Sequence, residues 1–352
     1  MSNKSKPSYV EKITTKDQIE IIQRHKGIKF KEYREKYEAS LNYENNYSLL
    51  DFPITVTLEM INKCNLKCIM CYTDHHKKIK STLSIQDLDK FLNECKKFKA
   101  PAIIIGLGSE ILMYKGIKEV VTKIMQANFL DVMFSTNATL LNEEMSKFLI
   151  ESGVTRVVIS LDAATEDTYK IIRSKNELKK VENNILKLVE LKKKYKTDLP
   201  VVRLSYVVQK ENIDELKVFK SKWENIVDYI DIQEQIDFNP VKEIEKWDTE
   251  KNFEIGDEIL PNAICSYPFN SLHLYADGEI RPCCNFYGLG LPLGNIKKIS
   301  LEEAWQGEKI KKIREGLLTK KPNRVCKECI LQRSKNYNWT EVVSDIKKTN
   351  TN

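Results

Sequence analysis

Nine cysteines are the residues of this chain best suited to chemistry, and they are unevenly placed. Cys64, Cys68 and Cys71 fall within one short stretch, Cys95 stands alone, and Cys265, Cys283, Cys284, Cys326 and Cys329 lie in the C-terminal quarter. An odd count without a secretory signal argues against a disulfide framework and for metal ligation or redox chemistry. The first group reads C-x3-C-x2-C. Three thiolates are one short of the four that close a structural zinc or a fully protein-held iron–sulfur site, so one metal position stays open for substrate or cofactor. Soft sulfur ligands favour an iron–sulfur cluster or zinc over magnesium or manganese. The plainer alternatives are a chance triplet, or a zinc completed by His75 or His76, which otherwise read as exposed loop residues.

In the C-terminal group, Tyr275-Ala-Asp277-Gly278-Glu-Ile-Arg281 places Asp-Gly, a favoured two-residue turn, between alternating segments. That hairpin returns Cys283 toward Cys265, and Cys326-x2-Cys329 adds a pair. Four convergent thiolates make a closed site for a [4Fe-4S] cluster or structural zinc, and the residues alone do not choose. Cys95 belongs to the apolar stripe of a helix with Leu88, Phe91 and Leu92 and reads as core.

The elements that must position these groups show in the hydrophobic pattern. From Phe52, apolar runs rich in β-branched residues alternate with segments of helical period. Strands are predicted at 54–60, 102–107, 130–135, 155–161, 201–208 and 229–233. Helices are predicted between them at 84–99, 115–128, 142–152, 166–173, 178–195 and 214–224. Six such units fit a partial barrel or a doubly wound sheet, and in both the reactive residues sit at the strands' C-terminal ends. The first cysteine group follows the first strand. Glu234 and Asp237 near the end of the sixth have only position to recommend them. Residues 1–50 read as a mainly helical extension, 51–240 as the β-α part, 241–340 as a small domain organised by a metal centre, and 341–352 as a polar tail.

Composition narrows the class further. The 352 residues carry 57 Lys+Arg against 50 Asp+Glu, a net charge of +7. Collagenous, low-complexity and disordered classes are excluded. No apolar run approaches the ~20 residues of a membrane span, so the expectation is a soluble, cytoplasmic protein without a membrane partner. Lysine clusters such as 192–196 read first as solvated helix faces rather than a nucleic-acid surface, so nucleic acid is not expected as a partner.

The segment Asn62-Lys-Cys64-Asn-Leu-Lys-Cys68-Ile-Met-Cys71-Tyr72 closely resembles the cluster loop of the radical SAM superfamily, which follows the first strand of a partial (β/α)6 TIM-type barrel. The resemblance implies that Cys64, Cys68 and Cys71 each bind one iron of a [4Fe-4S] cluster, with Met70 beside it. S-adenosylmethionine (SAM) would chelate the fourth iron, and one-electron reduction would release a 5′-deoxyadenosyl radical. A one-electron reductant such as flavodoxin or ferredoxin is implied as partner. Gly106-Leu-Gly108-Ser109-Glu110 resembles the family's Gly-Gly-Glu-Pro segment, with Ser109 for the second glycine and Ile111 for the proline. Thr136-Asn137 resembles the Thr-Asn segment near SAM. Ser160, Asp162 and Arg173 lie in a stretch resembling the fourth-strand segment, which implies Ser160 at the ribose and Arg173 at the SAM carboxylate.

Downstream, C-x12-G-x4-C, the run Leu293-Gly-Asn-Ile to Trp305 and the terminal C-x2-C resemble the SPASM/twitch extension. No cysteine follows Cys329, which points to the shorter form with one auxiliary [4Fe-4S] cluster on Cys265, Cys283, Cys326 and Cys329. Cys284 is then spare, either an inert neighbour or a catalytic thiol returning a hydrogen atom to a substrate radical. The expected function is a radical SAM enzyme acting on a peptide. The alternatives are a dehydrogenase or epimerase of a sugar, aminocyclitol or other small polar metabolite, and, from another class, a non-catalytic zinc or electron-transfer protein. A thiol redox protein would leave Cys64, Cys68 and Cys71 without a role.

Overall fold

Six parallel strands arise from the β-branched runs because each run has an apolar face for the helices to cover and a neighbouring strand on either edge. The computed structural model describes residues 9–14, 17–44, 50–72 and 81–335. An edge strand β1 (Tyr9–Thr14) and the helices α1 (Gln18–Lys26) and α2 (Ile28–Leu41) precede the repeats. Then come β2 (Thr55–Leu58), α3 (Ile85–Lys97), β3 (Ala102–Ile105), α4 (Ile117–Met125), β4 (Asp131–Thr136) and α5 (Glu143–Ser152). The series continues with β5 (Arg156–Ser160), α6 (Glu166–Arg173), α7 (Leu178–Lys194), β6 (Val201–Val208), α8 (Leu216–Trp223) and β7 (Tyr229–Glu234). Strands β2 to β7 pair in sequence order without reversal. A doubly wound sheet reverses its strand order and a barrel does not, so the architecture is the partial barrel.

Local signals fix the helix ends. The Ser84 hydroxyl accepts a hydrogen bond from the Asp87 backbone N–H at 3.0 Å to open α3. Asn142 opens α5 in the same way through Met145, and Gly153, in the left-handed region at φ 80°, closes it. On the sheet's outer face, Val56, Leu58, Ile103, Ile105, Phe134 and Ile159 join a core with helix residues such as Leu88, Phe91 and Val120. Cys95 is buried in that core. The alternate residues face the barrel's interior.

The N-terminal part differs from its sequence reading in one respect: besides two helices it contributes β1, antiparallel to β7. Nothing local to Tyr9–Thr14 announces that partner. Helices α1 and α2 bring Ile21, Ile22, Phe30 and Tyr33 against Ile54, Ala102, Val201 and Tyr229, at the N-terminal ends of the barrel strands. The barrel floor is closed there.

After the barrel come α9 (Val241–Ile244), α10 (Tyr267–Asn270), β8 (Ser271–Leu274), β9 (Glu279–Arg281), β10 (Gly294–Asn295), α11 (Leu301–Gln306), α12 (Glu308–Leu318) and α13 (Arg324–Lys335). Strand β8 pairs in parallel with β2, and β9 and β10 extend the same sheet antiparallel, giving ten strands among the described residues. The Asp277-Gly278 turn forms between β8 and β9, with Gly278 at φ 85° and its N–H donating to Tyr275 O at 2.9 Å. Among the described residues no helix is long and apolar enough to cross a membrane.

Candidate active site and cysteine clusters

The loop leaving the C-terminal end of β2 is held on several sides before it reaches its cysteines. Glu59 N–H extends the β2–β8 ladder by donating to Leu274 O at 2.9 Å, and Leu83 N–H donates to Met60 O at 2.8 Å. Glu110 N–H donates to Lys63 O at 2.9 Å, Ile69 N–H to Ile172 O at 2.9 Å, and Cys71 N–H to Cys68 O at 3.0 Å. The loop is thus tied to the β3 loop and to the end of α6.

Donors are aimed at the Cys64 and Cys68 sulfurs. Asn137 Nδ2 lies 3.8 Å from Cys64 Sγ, and the Leu66 backbone N–H donates to the same sulfur at 3.5 Å. Arg173 Nη1 lies 3.5 Å from Cys68 Sγ. Cys64 is exposed as a residue, yet the atoms around its sulfur desolvate it and push the thiol up to about 11. Burial also raises the Cys68 thiol, with Arg173 opposing. Donors and a cation beside sulfur stabilise thiolate over thiol, which is the state a metal requires.

The neighbouring candidates form one hydrogen-bonded shell. Buried Glu110 accepts from Thr136 Oγ1 at 2.7 Å, Asn137 N–H at 2.7 Å and Leu112 N–H at 3.1 Å. Its carboxyl is raised by burial, against the pull of those donors. Gly106, at φ 94°, lets the ends of β3 and β4 approach, since a Cβ there would meet Ser135 O at 2.7 Å. Gly108 is also left-handed, at φ 58°, and Ser109 Oγ donates to Leu107 O at 3.2 Å. Asp162 accepts from Val207 N–H at 2.8 Å and forms a buried ion pair with Arg173, whose Nε has no partner among the described residues. Ser160 ends β5, half-buried.

Sequence reading missed three residues of this shell. Gln209 Nε2 contacts Met70 Sδ at 3.8 Å, Asn65 links Asn137 to Thr139, and Glu59 accepts from Ala276 N–H at 3.1 Å. Gln209 follows the end of β6, so the strand-end rule could have found it. Asp237 is exposed and accepts from Asn239 N–H at 2.9 Å, as a turn residue does. His75 and His76 lie outside the described residues.

The second cysteine set gathers around Cys283. Its thiol is pushed well above the usual range, first by burial and then by Cys265, Cys284, Cys329 and Cys326. Burial likewise raises Cys326, followed by Cys265 and Cys329. A Cβ on Gly288 would stand 2.8 Å from Cys283 Sγ, so glycine there keeps the space at that sulfur clear. Cys326 and Cys329 are spaced to share one face of α13. Cys265 N–H donates to Tyr43 Oη at 3.0 Å. The fold therefore brings together all five C-terminal cysteines, Cys284 included.

Residues 58–221 match the model of the radical SAM superfamily, and residues 265–330 match that of SPASM, an iron–sulfur cluster-binding domain. The chain belongs to the radical SAM superfamily. A probable GTP 3′,8-cyclase of Methanothermobacter thermautotrophicus is 31% identical over 138 residues, covering 39% of this chain and 45% of that one. Mycofactocin maturase MftC of Mycolicibacterium smegmatis is 29% identical over 170 residues, 48% of this chain and 41% of that one. The chain spans about half the length of such relatives. Streptococcus suis SuiB bound to precursor peptide SuiA superposes with a TM-score of 0.56 at 16% identity, over 83% of this chain and 75% of that one, a likeness of fold.

A radical SAM domain carries a SAM-binding [4Fe-4S] cluster, and a SPASM domain carries auxiliary iron–sulfur clusters. The donors at Cys64 and Cys68 and the space at Cys283 fit such groups. Among the described residues no three or more His, Cys, Asp or Glu converge as one metal ion would hold them.

Proposed function

We propose that this radical SAM protein is an enzyme that takes hydrogen from a C–H bond of a peptide substrate, in peptide modification or maturation. The observation that carries the reading is the loop at the end of β2, where three cysteines stand together and Asn137 and Arg173 donate to two of their sulfurs. Cys64, Cys68 and Cys71 would hold three irons and leave the fourth open to SAM. The chemistry those cofactors supply when bound is one-electron cleavage of SAM to a carbon radical. The protein's own contribution is position. Glu110 locks Thr136 and Asn137 to the β3 loop, the Asp162–Arg173 pair fixes the guanidinium against Cys68, and the free Arg173 Nε is a donor for an anionic group of SAM.

We assign Cys265, Cys283, Cys326 and Cys329 to one auxiliary cluster, leaving Cys284 beside it as the spare thiol. The peptide reading draws on the precursor peptide bound by SuiB and on the maturase name of MftC. A one-electron donor such as flavodoxin or ferredoxin is the proposed physiological partner.

The test is anaerobic reconstitution with iron and sulfide, reduction with dithionite, addition of SAM and quantitation of 5′-deoxyadenosine. Wild type should form the nucleoside and Cys68→Ala should not; equal yields would overturn the assignment. Nucleoside formation stimulated by a library of synthetic peptides, and not by a panel of monosaccharides and aminocyclitols, would support the peptide substrate. The reverse preference would remove it.

A further inference from the structure

The first cysteine loop has an outer face that cluster and SAM binding leave unused. Burial alternates along it: Leu66 and Cys68 are buried, whereas Lys67 and Ile69 are exposed, Ile69 by 42%. Helix α6 continues that face. Its Thr168, Tyr169, Ile172 and Arg173 are buried, and the opposite stripe of Asp167, Lys170, Ile171 and Ser174 is exposed. Two hydrogen bonds join the helix end to the loop. Ile69 N–H donates to Ile172 O at 2.9 Å, and Ser174 Oγ donates to Lys67 O at 2.5 Å. On the other side Asn65 Nδ2 donates to Thr139 Oγ1 at 2.7 Å, which sets Leu140 beside the loop.

Leu140 and Ile171 are 39% and 56% exposed. A single exposed aliphatic side chain is ordinary on any protein surface. Here three of the eleven large apolar residues exposed among the described residues, Ile69, Leu140 and Ile171, lie on or beside one short loop. They form a patch rather than a scatter.

Lysines rim that patch, and their charges are uncompensated. Elsewhere on the surface lysines meet carboxylates, as Lys118 does Glu144, Lys147 does Glu143, Lys187 does Glu190 and Lys309 does Glu250. Lys67, Lys170 and Lys175 are exposed and form no ion pair among the described residues. The carboxylates nearest in the fold are engaged. Glu166 accepts from Leu178 N–H at 3.2 Å and Lys179 N–H at 3.0 Å, Glu177 pairs with Lys180, and Asp162 is buried against Arg173. Asp167 is the exposed acid of α6, about 10 Å along the helix from Ser174. The face is therefore positive around an apolar centre.

We propose that this face seats an acidic flavodoxin, with the apolar edge of its flavin on Ile69, Leu140 and Ile171 and its surface carboxylates over Lys67, Lys170 and Lys175. Three aliphatic side chains suit the methyl-bearing benzenoid edge of a flavin, which offers no hydrogen-bonding group. The lysine rim steers the encounter and sets its orientation. A contact of this kind needs less than about 1,200 Å² of buried surface, within reach of one loop and one helix face. Ile69 adjoins Cys68, with the two Cα atoms about 3.8 Å apart, so the seat lies directly outside the three sulfurs. This rests on the catalytic reading above and says where, and by which chemistry, its reductant binds.

The test is anaerobic titration calorimetry of the reconstituted full chain with a purified flavodoxin of net negative charge. The expected result is saturable binding that tightens as ionic strength falls from about 0.15 M to about 0.01 M. The double reversal Lys67→Glu with Lys170→Glu should weaken it about tenfold at the lower strength. Ile171→Ser should weaken it about threefold at both. Lys297→Glu with Lys312→Glu changes the net charge equally in the C-terminal part and should bind like wild type. Iron analysis checks that each variant holds its clusters, and Lys170→Glu with Lys175→Glu supplies the reversal outside the cysteine loop. No binding by wild type, equal weakening by the near and remote reversals, or an Ile171→Ser chain that binds like wild type would each overturn the assignment. So would a ferredoxin, or an acidic protein without a redox group, that binds as tightly. Dithionite-driven formation of 5′-deoxyadenosine by wild type separates the two failures: nucleoside without flavodoxin binding sinks this seat alone, and binding without nucleoside sinks the catalytic reading.

Discussion

The two cysteine regions are assembled by opposite means. The first packs Cys64, Cys68 and Cys71 into a single loop, and the surrounding barrel supplies donors from Asn137 and Arg173. The second draws cysteines from the segment before α10, the turn after β9 and helix α13, and surrounds Cys283 with other thiols. Burial raises thiols in both regions, and in the first Arg173 lies against the Cys68 sulfur and opposes it. The lesson is that the first site is borne by a scaffold that stands without it, while the second is a junction that helps hold its own segments together.

Cysteine replacement should break that contrast or sharpen it, and it carries the largest effect. Cys68→Ala is expected to abolish 5′-deoxyadenosine formation with little change in thermal midpoint. Cys283→Ala should drop bound iron from about eight to about four atoms per chain, the difference of one four-iron cluster, and lower the midpoint by several degrees. Iron analysis and calorimetry on both variants decide the matter, and equal destabilisation would erase the distinction.

Arg173→Gln comes next. It removes one partner of a buried ion pair and leaves the Asp162 carboxylate uncompensated, at a cost of about 3–5 kcal/mol. Denaturant unfolding would show it. A loss below about 1 kcal/mol would mean that solvent reaches the pair.

Glu59 offers the most graded effect, where the first cysteine loop meets the hairpin of the second region. Its carboxyl lies at about 8 in the fold against 4.5 for the free group. Between those values the folded state keeps a proton that the unfolded state has lost, so stability falls as pH rises from 4.5 to 8, by at most about 1.4 kcal/mol per pH unit. Glu59→Gln should flatten this slope and raise the midpoint at pH 8 relative to wild type. Parallel melting curves for the two proteins across that range would contradict the assignment.

Much of the barrel was legible before any coordinates. Val201–Val208 forms a strand and Glu166–Arg173 a helix over the predicted residues, because β-branched runs and capped amphipathic stretches act locally. What escaped was pairing at a distance. Strand β1 exists because β7 offers an open edge. Gln209 matters because α6 and the cluster loop bring Met70 to it. The sheet passes from β2 to β8, although more than two hundred residues separate them, so the change in pattern near Pro240 marks no break in the sheet.

The sequence by itself determined the open three-cysteine loop, the strand it follows and the six-unit β-α order. Ligand spacing, hydrophobic period and caps are all written within a few residues. Only the tertiary structure decided that Arg173 reaches Cys68, that Cys265, Cys326 and Cys329 come to Cys283, and that Gln209 meets Met70. Those facts depend on which strands become neighbours and which face each residue takes once the sheet curls. Side chains far apart in sequence change their desolvation and their partners when the fold joins them, and no local pattern records that.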